Sequence, residues 1–236
     1  MPSPSTALVT GATAGIGRAT AFALGRAGWR LGVCARSADG VKKLLRELHA
    51  AGITATGRPA DVARESDVHA WVRQAEAELG PPDTLVNNAG IAVFKPFAEL
   101  TLEDWDRTMA TNLRGMFLVT REVLPGMRQR RQGAIVNIAS LSGRHGFVGG
   151  AAYAASKHAV LGFSRSLMLE VRAERIRVIT ICPGSVNTAL IRDQSMIPRD
   201  SKRLLQPEDV ADSILAALQL PPRALVSEID LRPTTP

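Results

Sequence analysis

The chain has 236 residues, 45% apolar and 22% charged, which is enough to build a sizeable core and too apolar for a disordered chain. The formal net charge is +7, but the arginines are spread along the sequence, which favours a solvated basic exterior over a nucleic-acid surface. No apolar run is long enough to cross a bilayer, and no basic segment followed by an apolar stretch opens the chain, so a cytoplasmic protein without a membrane partner is expected.

In chain order, residues 6–10 predict a first strand and residues 16–27 the helix after it. Residues 31–35 and 41–51 predict a second strand and helix, and residues 54–58 a third strand, followed by a helix over 65–79. A fourth strand is expected at 84–87. One long helix is expected over 102–130, opened by Thr101 and Asp104 in capping-box spacing. It closes on Arg128, Arg130 and Arg131, which suit a helix C-terminus. Residues 134–139 predict a fifth strand, 151–171 a helix and 177–182 a sixth strand. Pro207 opens a last helix to about 218, and 226–231 predict a seventh strand.

The early strands are near-continuous apolar runs, the pattern of parallel strands buried on both faces. Repeated strand–helix–strand units with short connections imply one α/β domain over residues 1–236. Its core is a doubly wound parallel sheet of about seven strands with helices on both faces. The polar segment 187–205 is the expected mobile lid. Cys34 and Cys182 each sit in a strand-like run with no metal-ligand spacing, so two reduced core thiols and no metal site are expected.

Thr10-Gly-Ala-Thr-Ala-Gly-Ile-Gly17 follows the first strand and opens the first helix. Gly11 permits a tight turn, Gly15 lets backbone approach a pyrophosphate, and Gly17 allows close helix packing; Thr13 and Ile16 complete the loop. At the second strand end Ala35 stands where an acid would bind a ribose 2′-hydroxyl. Arg36, followed by Ser37, can instead pair with a 2′-phosphate. Asp61 and Val62 follow the third strand, and Asn88, Ala89 and Gly90 the fourth, at strand ends where such sheets bind ligands. Asp61 is placed to accept from an adenine amino group.

Tyr153 and Lys157 are four apart on a predicted helix and therefore share a face. A free phenol is a poor acid–base group at neutral pH, and the neighbouring ammonium is expected to lower its pKa. Ser140 ends the fifth strand, where its hydroxyl can meet a substrate oxygen. Asn112, a mediocre helix former inside the long helix, can hold a water by bending the helix locally. Val93, Phe94, His145, Phe147, Ile191 and Met196 are candidate pocket walls, and Arg144 a candidate contact for an anionic substrate.

Taken together, TGxxxGIG at Thr10–Gly17, NNAG at Asn87–Gly90, a serine thirteen positions before the tyrosine, YxxxK, and Pro183-Gly184 with Thr188 resemble the short-chain dehydrogenase/reductase family over essentially the whole chain. The resemblance implies a Rossmann-type domain and a Ser140–Tyr153–Lys157 triad extended to Asn112. It also implies that Lys157 binds the nicotinamide ribose, and that Pro183, Gly184, Val186 and Thr188 line the cofactor site, with Thr188 and the backbone near Val186 on the carboxamide. The implied reaction is direct hydride transfer to a ketone or aldehyde, or from the matching alcohol, with Tyr153 passing the proton and Asn112 and a water resupplying it through Lys157. Association as a homodimer or homotetramer through the two long helices is also implied.

Arg36 favours NADP(H), with NAD(H) as the second possibility. The rival readings are an NAD-dependent alcohol dehydrogenase and a catalytically idle nucleotide-binding regulator. The C-terminal Ser227-Glu-Ile-Asp-Leu-Arg-Pro233 lacks the glycine-rich tail of many relatives that reduce acyl-carrier-bound ketones. That difference turns the expectation toward assorted ketones and aldehydes.

Overall fold

The computed structural model describes residues 5–192, 204–221 and 223–234. Seven strands form one parallel sheet in the order β3-β2-β1-β4-β5-β6-β7. They are β1 (Thr6–Thr10), β2 (Arg30–Ala35), β3 (Ala55–Pro59), β4 (Thr84–Asn87), β5 (Gly133–Ile138), β6 (Ile176–Pro183) and β7 (Glu228–Leu231). The helices are α1 (Gly15–Arg26), α2 (Ala38–Ala50), α3 (Glu65–Leu79), α4 (Leu102–Met109), α5 (Gly115–Arg130), α6 (Ala151–Val171), α7 (Ala189–Arg192) and α8 (Pro207–Gln219). The expected doubly wound sheet is therefore present.

Alternation inside each apolar run explains why both faces are covered. Ala7 and Val9 of β1, Leu31 and Val33 of β2, and Ile179 and Ile181 of β6 point into one core layer, filled from α1, α2 and α8. Leu8, Cys34, Leu85, Ile135 and Val178 point into the other, filled from α3, α5 and α6. Each fully buried Leu or Ile contributes about 1.5–3 kcal/mol through removal of apolar surface from water. Cys34 and Cys182 are both buried free thiols.

The strand order reverses between β1 and β4, so their C-terminal ends diverge and open a crevice. Directly beneath it runs a polar seam that the apolar pattern does not foreshadow. Asn87 and Asn137 are paired across β4 and β5, and Asn87 Nδ2 donates to Asn137 Oδ1 at 2.9 Å and to Thr120 Oγ1 at 3.0 Å. Asn137 Nδ2 donates in turn to Ser164 Oγ at 2.9 Å, which ties in α6.

The expected single helix over 102–130 is interrupted. α4 starts with the Thr101–Asp104 capping box, but residues Ala110–Arg114 widen into a π turn before α5 begins. The widening coincides with Asn112, whose side chain is buried and committed to groups outside its own helix. Gly115 then lies against Val62, where a Cβ would come within 2.6 Å of Val62 Cγ2. Most of the expected lid, and Met196 with it, lies outside the described residues.

Candidate active site

A cavity of about 940 Å³ opens at the C-terminal edge of the sheet. Its floor at one end is the turn from β1 into α1. Gly11 and Gly15 have φ of +63° and +51°, the left-handed region in which glycine is the unstrained residue. A Cβ on Gly15 would meet Thr188 Cγ2 at 2.9 Å, so the glycine loop and the turn after β6 are in contact. Gly17 is buried beneath the loop: its Cβ would fall 2.4 Å from both Gly11 O and Asn88 Nδ2. The close packing expected at Gly17 is therefore against the loop itself and the end of β4.

Asn88 holds that arrangement. Its Nδ2 donates to the carbonyls of Thr10 and Gly11 at 3.0 and 3.1 Å, and Thr10 Oγ1 accepts from the amides of Asn88 and Ala89. Ala14, the residue before α1, gives no side-chain cap, and the first turn carries no acid. The helix thus presents uncapped N–H groups and its positive dipole end where Ala14, Gly15 and Ile16 line the cavity. This cradle fits a pyrophosphate.

Thr13 lies beside the start of α2, where a Cβ on Gly40 would be 3.2 Å from both Thr13 Cγ2 and Ser37 Oγ. Ser37 caps α2 by accepting from Gly40 N at 3.1 Å. Arg36 is exposed and makes no ion pair or hydrogen bond to the described residues. Asp61 is half-buried, and its Oδ1 accepts from Ala63 N. The Val62 side chain packs into the core rather than lining the cavity.

On the opposite wall, Ser140, Tyr153 and Lys157 line the same cavity, together with Asn88, Ala89 and Gly90. The Ser140 hydroxyl donates to Pro183 O at 3.4 Å, and it lies close enough to Tyr153 to favour the phenolate. Ser140 Oγ also accepts from Ser142 N at 3.1 Å, because the residue begins a 3-10 turn. The ammonium of Lys157 stands 5.7 Å from the Tyr153 ring centroid and donates to Ile138 O at 2.8 Å. Phe94 meets the Tyr153 ring edge-on at 5.5 Å and Phe147 at 5.1 Å, forming an apolar wall.

One sequence expectation changes here. Burial raises the Tyr153 phenol above its usual pKa, and the Ser140 hydroxyl offsets this only partly; the expected lowering by Lys157 is not found. Lys157 is itself desolvated, which brings its ammonium down to about 8. Asn112 sits in the π turn, and its side chain is bonded to groups outside its own helix. Its Oδ1 accepts from Ile91 N at 2.8 Å, and its Nδ2 donates to Ile91 O and to Ser156 Oγ. It clamps the segment after β4 to α6, and one Oδ1 lone pair is left to accept from a further donor such as a water. A Cβ on Gly90 would be 3.3 Å from Asn112 Oδ1 and 3.8 Å from Lys157 Nζ, so these three groups meet at one point.

The buried ammonium gives a stability prediction. The unfolded chain holds the Lys157 proton with the usual 10.5, the folded chain with about 8. Between those values the unfolded state binds more protons, so folding gains from this group as pH rises and loses that gain as pH falls to about 8. Urea unfolding of wild type and Lys157→Met should show wild type improving relative to the variant between pH 8 and 10.5. A constant difference across that window would contradict the burial.

Of the expected substrate walls, Phe94 and Phe147 line the cavity, whereas Val93 and His145 do not. Pro183, Gly184, Val186 and Thr188 do, and Thr188 N donates to Val186 O at 2.7 Å in a tight turn. The Ile191 side chain lies outside the described residues. Arg144 meets no substrate space: it pairs with Glu228 at 2.6 Å and Asp230 at 2.8 Å on β7. Leu141, Val148, Leu190, Leu204, Arg232 and Pro233 line the cavity without having been anticipated, because strand pairing and loop packing bring them there from distant sequence.

The model of the short chain dehydrogenase family matches residues 5–196. The chain belongs to the short-chain dehydrogenase family. As a short-chain dehydrogenase it is an oxidoreductase, as the sequence motifs implied. It is 47% identical over 186 residues to a putative ketoacyl reductase of Streptomyces coelicolor, covering 78% of this chain and 71% of the relative. It is 36% identical over 213 residues to an acetoacetyl-CoA reductase of Shinella zoogloeoides, covering 87% of each. Among solved structures, an actinorhodin polyketide ketoreductase variant with NADPH superposes with a TM-score of 0.91 at 37% identity, covering 98% of this chain and 96% of that one. An alcohol dehydrogenase from the archaeon Thermococcus sibiricus complexed with 5-hydroxy-NADP gives 0.89 at 28% identity, covering 98% and 97%. Ketoacyl reductases thus figure among the relatives of this short-chain dehydrogenase, the group from which its C-terminal sequence had turned the expectation.

Proposed function

We propose that this short-chain dehydrogenase is an NADP(H)-dependent carbonyl reductase with Tyr153 as proton donor. The observation that carries the reading is a buried phenol, beside Ser140 and held in its acid form by desolvation, in the same cavity as the glycine cradle. A phenol with a raised pKa stays protonated at neutral pH, so the proton that reduction requires is already on the residue.

Gly11, Gly15, Ile16 and the α1 N-terminus would hold the pyrophosphate, Arg36 with Ser37 and Thr13 the 2′-phosphate, and Lys157 the nicotinamide ribose. Asp61 would reach the adenine edge, and Thr188 with Val186 the carboxamide. When bound, the cofactor supplies the hydride to the carbonyl carbon. The protein's own part is to hold the carbonyl oxygen between the Ser140 and Tyr153 hydroxyls. Ser140 stabilises the negative charge that develops on that oxygen, and Tyr153 gives it a proton. The NADP-bound state of the structural neighbours supports the cofactor reading.

The test is NADPH- and NADH-dependent turnover of ketones, aldehydes and acyl thioesters. NADPH is expected to be used better, and Arg36→Asp should weaken NADPH use by about 10- to 100-fold, the range for hydrogen bonds to a charged group. Equal or better turnover with NADH in the wild type would overturn the cofactor assignment.

A further inference from the structure

We propose that Arg232 makes the mouth of the cavity a subsite for an anionic group, so that the preferred substrates are carbonyl compounds bearing a phosphate or carboxylate. The inference rests on the carbonyl-reductase reading and names its substrate class.

Arg232 directly follows β7 and lines the cavity that holds Tyr153 and Ser140. Among the described lining residues, Lys157 and Arg232 are the only cationic side chains. Lys157 is buried and donates to Ile138 O, whereas the Arg232 side chain is 58% exposed. Its placement follows from strand register: Cys182 pairs with Asp230 and Pro183 with Leu231, and Gly184 N donates to Leu231 O at 2.8 Å. That bond fixes the backbone next to Arg232 beside Gly184 of the cavity wall.

Among the described residues, the neighbouring acids pair with it only weakly. Three guanidiniums, from Arg144, Arg165 and Arg232, share the two carboxylates of Glu228 and Asp230. Arg165 takes Glu228 at 2.6 Å, and Arg144 takes both acids at 2.6 and 2.8 Å. Arg144 binds Asp230 Oδ1 through both Nε and a terminal nitrogen. Arg232 is left with a 4.0 Å approach to Asp230 Oδ2, too long for a hydrogen bond. Among these five described groups one positive charge is therefore in excess, and the most weakly paired is the arginine that faces the cavity. The surrounding wall of Leu141, Phe147 and Val148 is apolar, suited to the carbon chain of such a substrate.

The experiment compares kcat/KM with NADPH for acetoacetyl-CoA, for free acetoacetate, and for the neutral N-acetylcysteamine thioester of acetoacetate. It uses wild type, Arg232→Gln and Arg232→Lys. The preference for an anionic substrate over the neutral thioester should fall about tenfold in Arg232→Gln and be largely restored in Arg232→Lys. Added salt should erode the wild-type preference and leave that of the Gln variant flat, a response that a purely structural role would not give. A fall confined to acetoacetyl-CoA assigns the subsite to a remote phosphate, and one confined to acetoacetate to a carboxylate beside the carbonyl. An unchanged preference, or a loss of NADPH affinity instead, overturns the inference and leaves the reductase reading standing. Wild-type inactivity on every carbonyl tried overturns both.

Discussion

Replacing Tyr153 by Phe should lower kcat for NADPH-dependent carbonyl reduction by about 10³-fold, within the 10²–10⁴ range typical of a positioned proton donor. The substitution keeps the ring edge that packs on Phe94 and removes only the hydroxyl beside Ser140, so the fold should stay close to wild type. Because burial raises the phenol pKa, wild-type reduction should hold through neutral pH and decline on the alkaline side as the acid form is lost. Ser140→Ala should cost about 10²-fold, in the range for one donor to a developing oxyanion, and the double variant less than the product of the two. Rates for Tyr153→Phe within about tenfold of wild type would remove Tyr153 as the donor.

The second large effect is expected at Gly17. A valine there drives its Cβ to within 2.4 Å of Gly11 O and of the Asn88 amide that ties the glycine loop to β4. One contact is backbone and cannot swing away, so the loop must move. Overpacking of this kind costs about 1–3 kcal/mol or more, a fall of several degrees in Tm at this chain length. Displacing the cradle should also weaken NADPH binding at least about tenfold, the equivalent of ~1.4 kcal/mol. Gly162 is the control: on α6 a Cβ there meets nothing within 4 Å, and Ala should be neutral or stabilising by about 0.5–1 kcal/mol. Thermal melts and NADPH titration of both variants check this; a Gly17→Val protein that melts and binds like wild type would contradict the packing.

The fold was legible wherever local pattern and tertiary environment agree. The bounds expected for β1, α3, β4 and α6 match the structure, because continuous apolar runs and helix-period faces both report burial. The π turn at Ala110–Arg114 was not legible as such. Its local sequence is acceptable in an ordinary helix, and the widening accompanies bonds from Asn112 to Ile91 and Ser156, far away in the chain. At the site, spacing brought Tyr153 and Lys157 together correctly but gave the wrong sign for the phenol. The nearby cation is visible in sequence, whereas the desolvation that outweighs it is a property of the packed interior. Arg144 looked available to an anion until β7 supplied Glu228 and Asp230, and Arg232 gave no sign of facing the cavity for the same reason. Both depend on a parallel pairing between β6 and β7 that no local pattern encodes.

The asparagine seam under the crevice has a consequence for how the sheet finds its alignment. In a parallel sheet buried on both faces, apolar side chains alone penalise a slipped pairing weakly, because Val, Ile and Leu are acceptable on either side. Asn87 and Asn137 remove that degeneracy. Shifting β4 past β5 by one residue would part their amides and leave each buried without its partner, at about 1–3 kcal/mol apiece. The pair therefore acts as a registration mark, which sets the relative height at which Asn88 and Ser140 emerge from their strands.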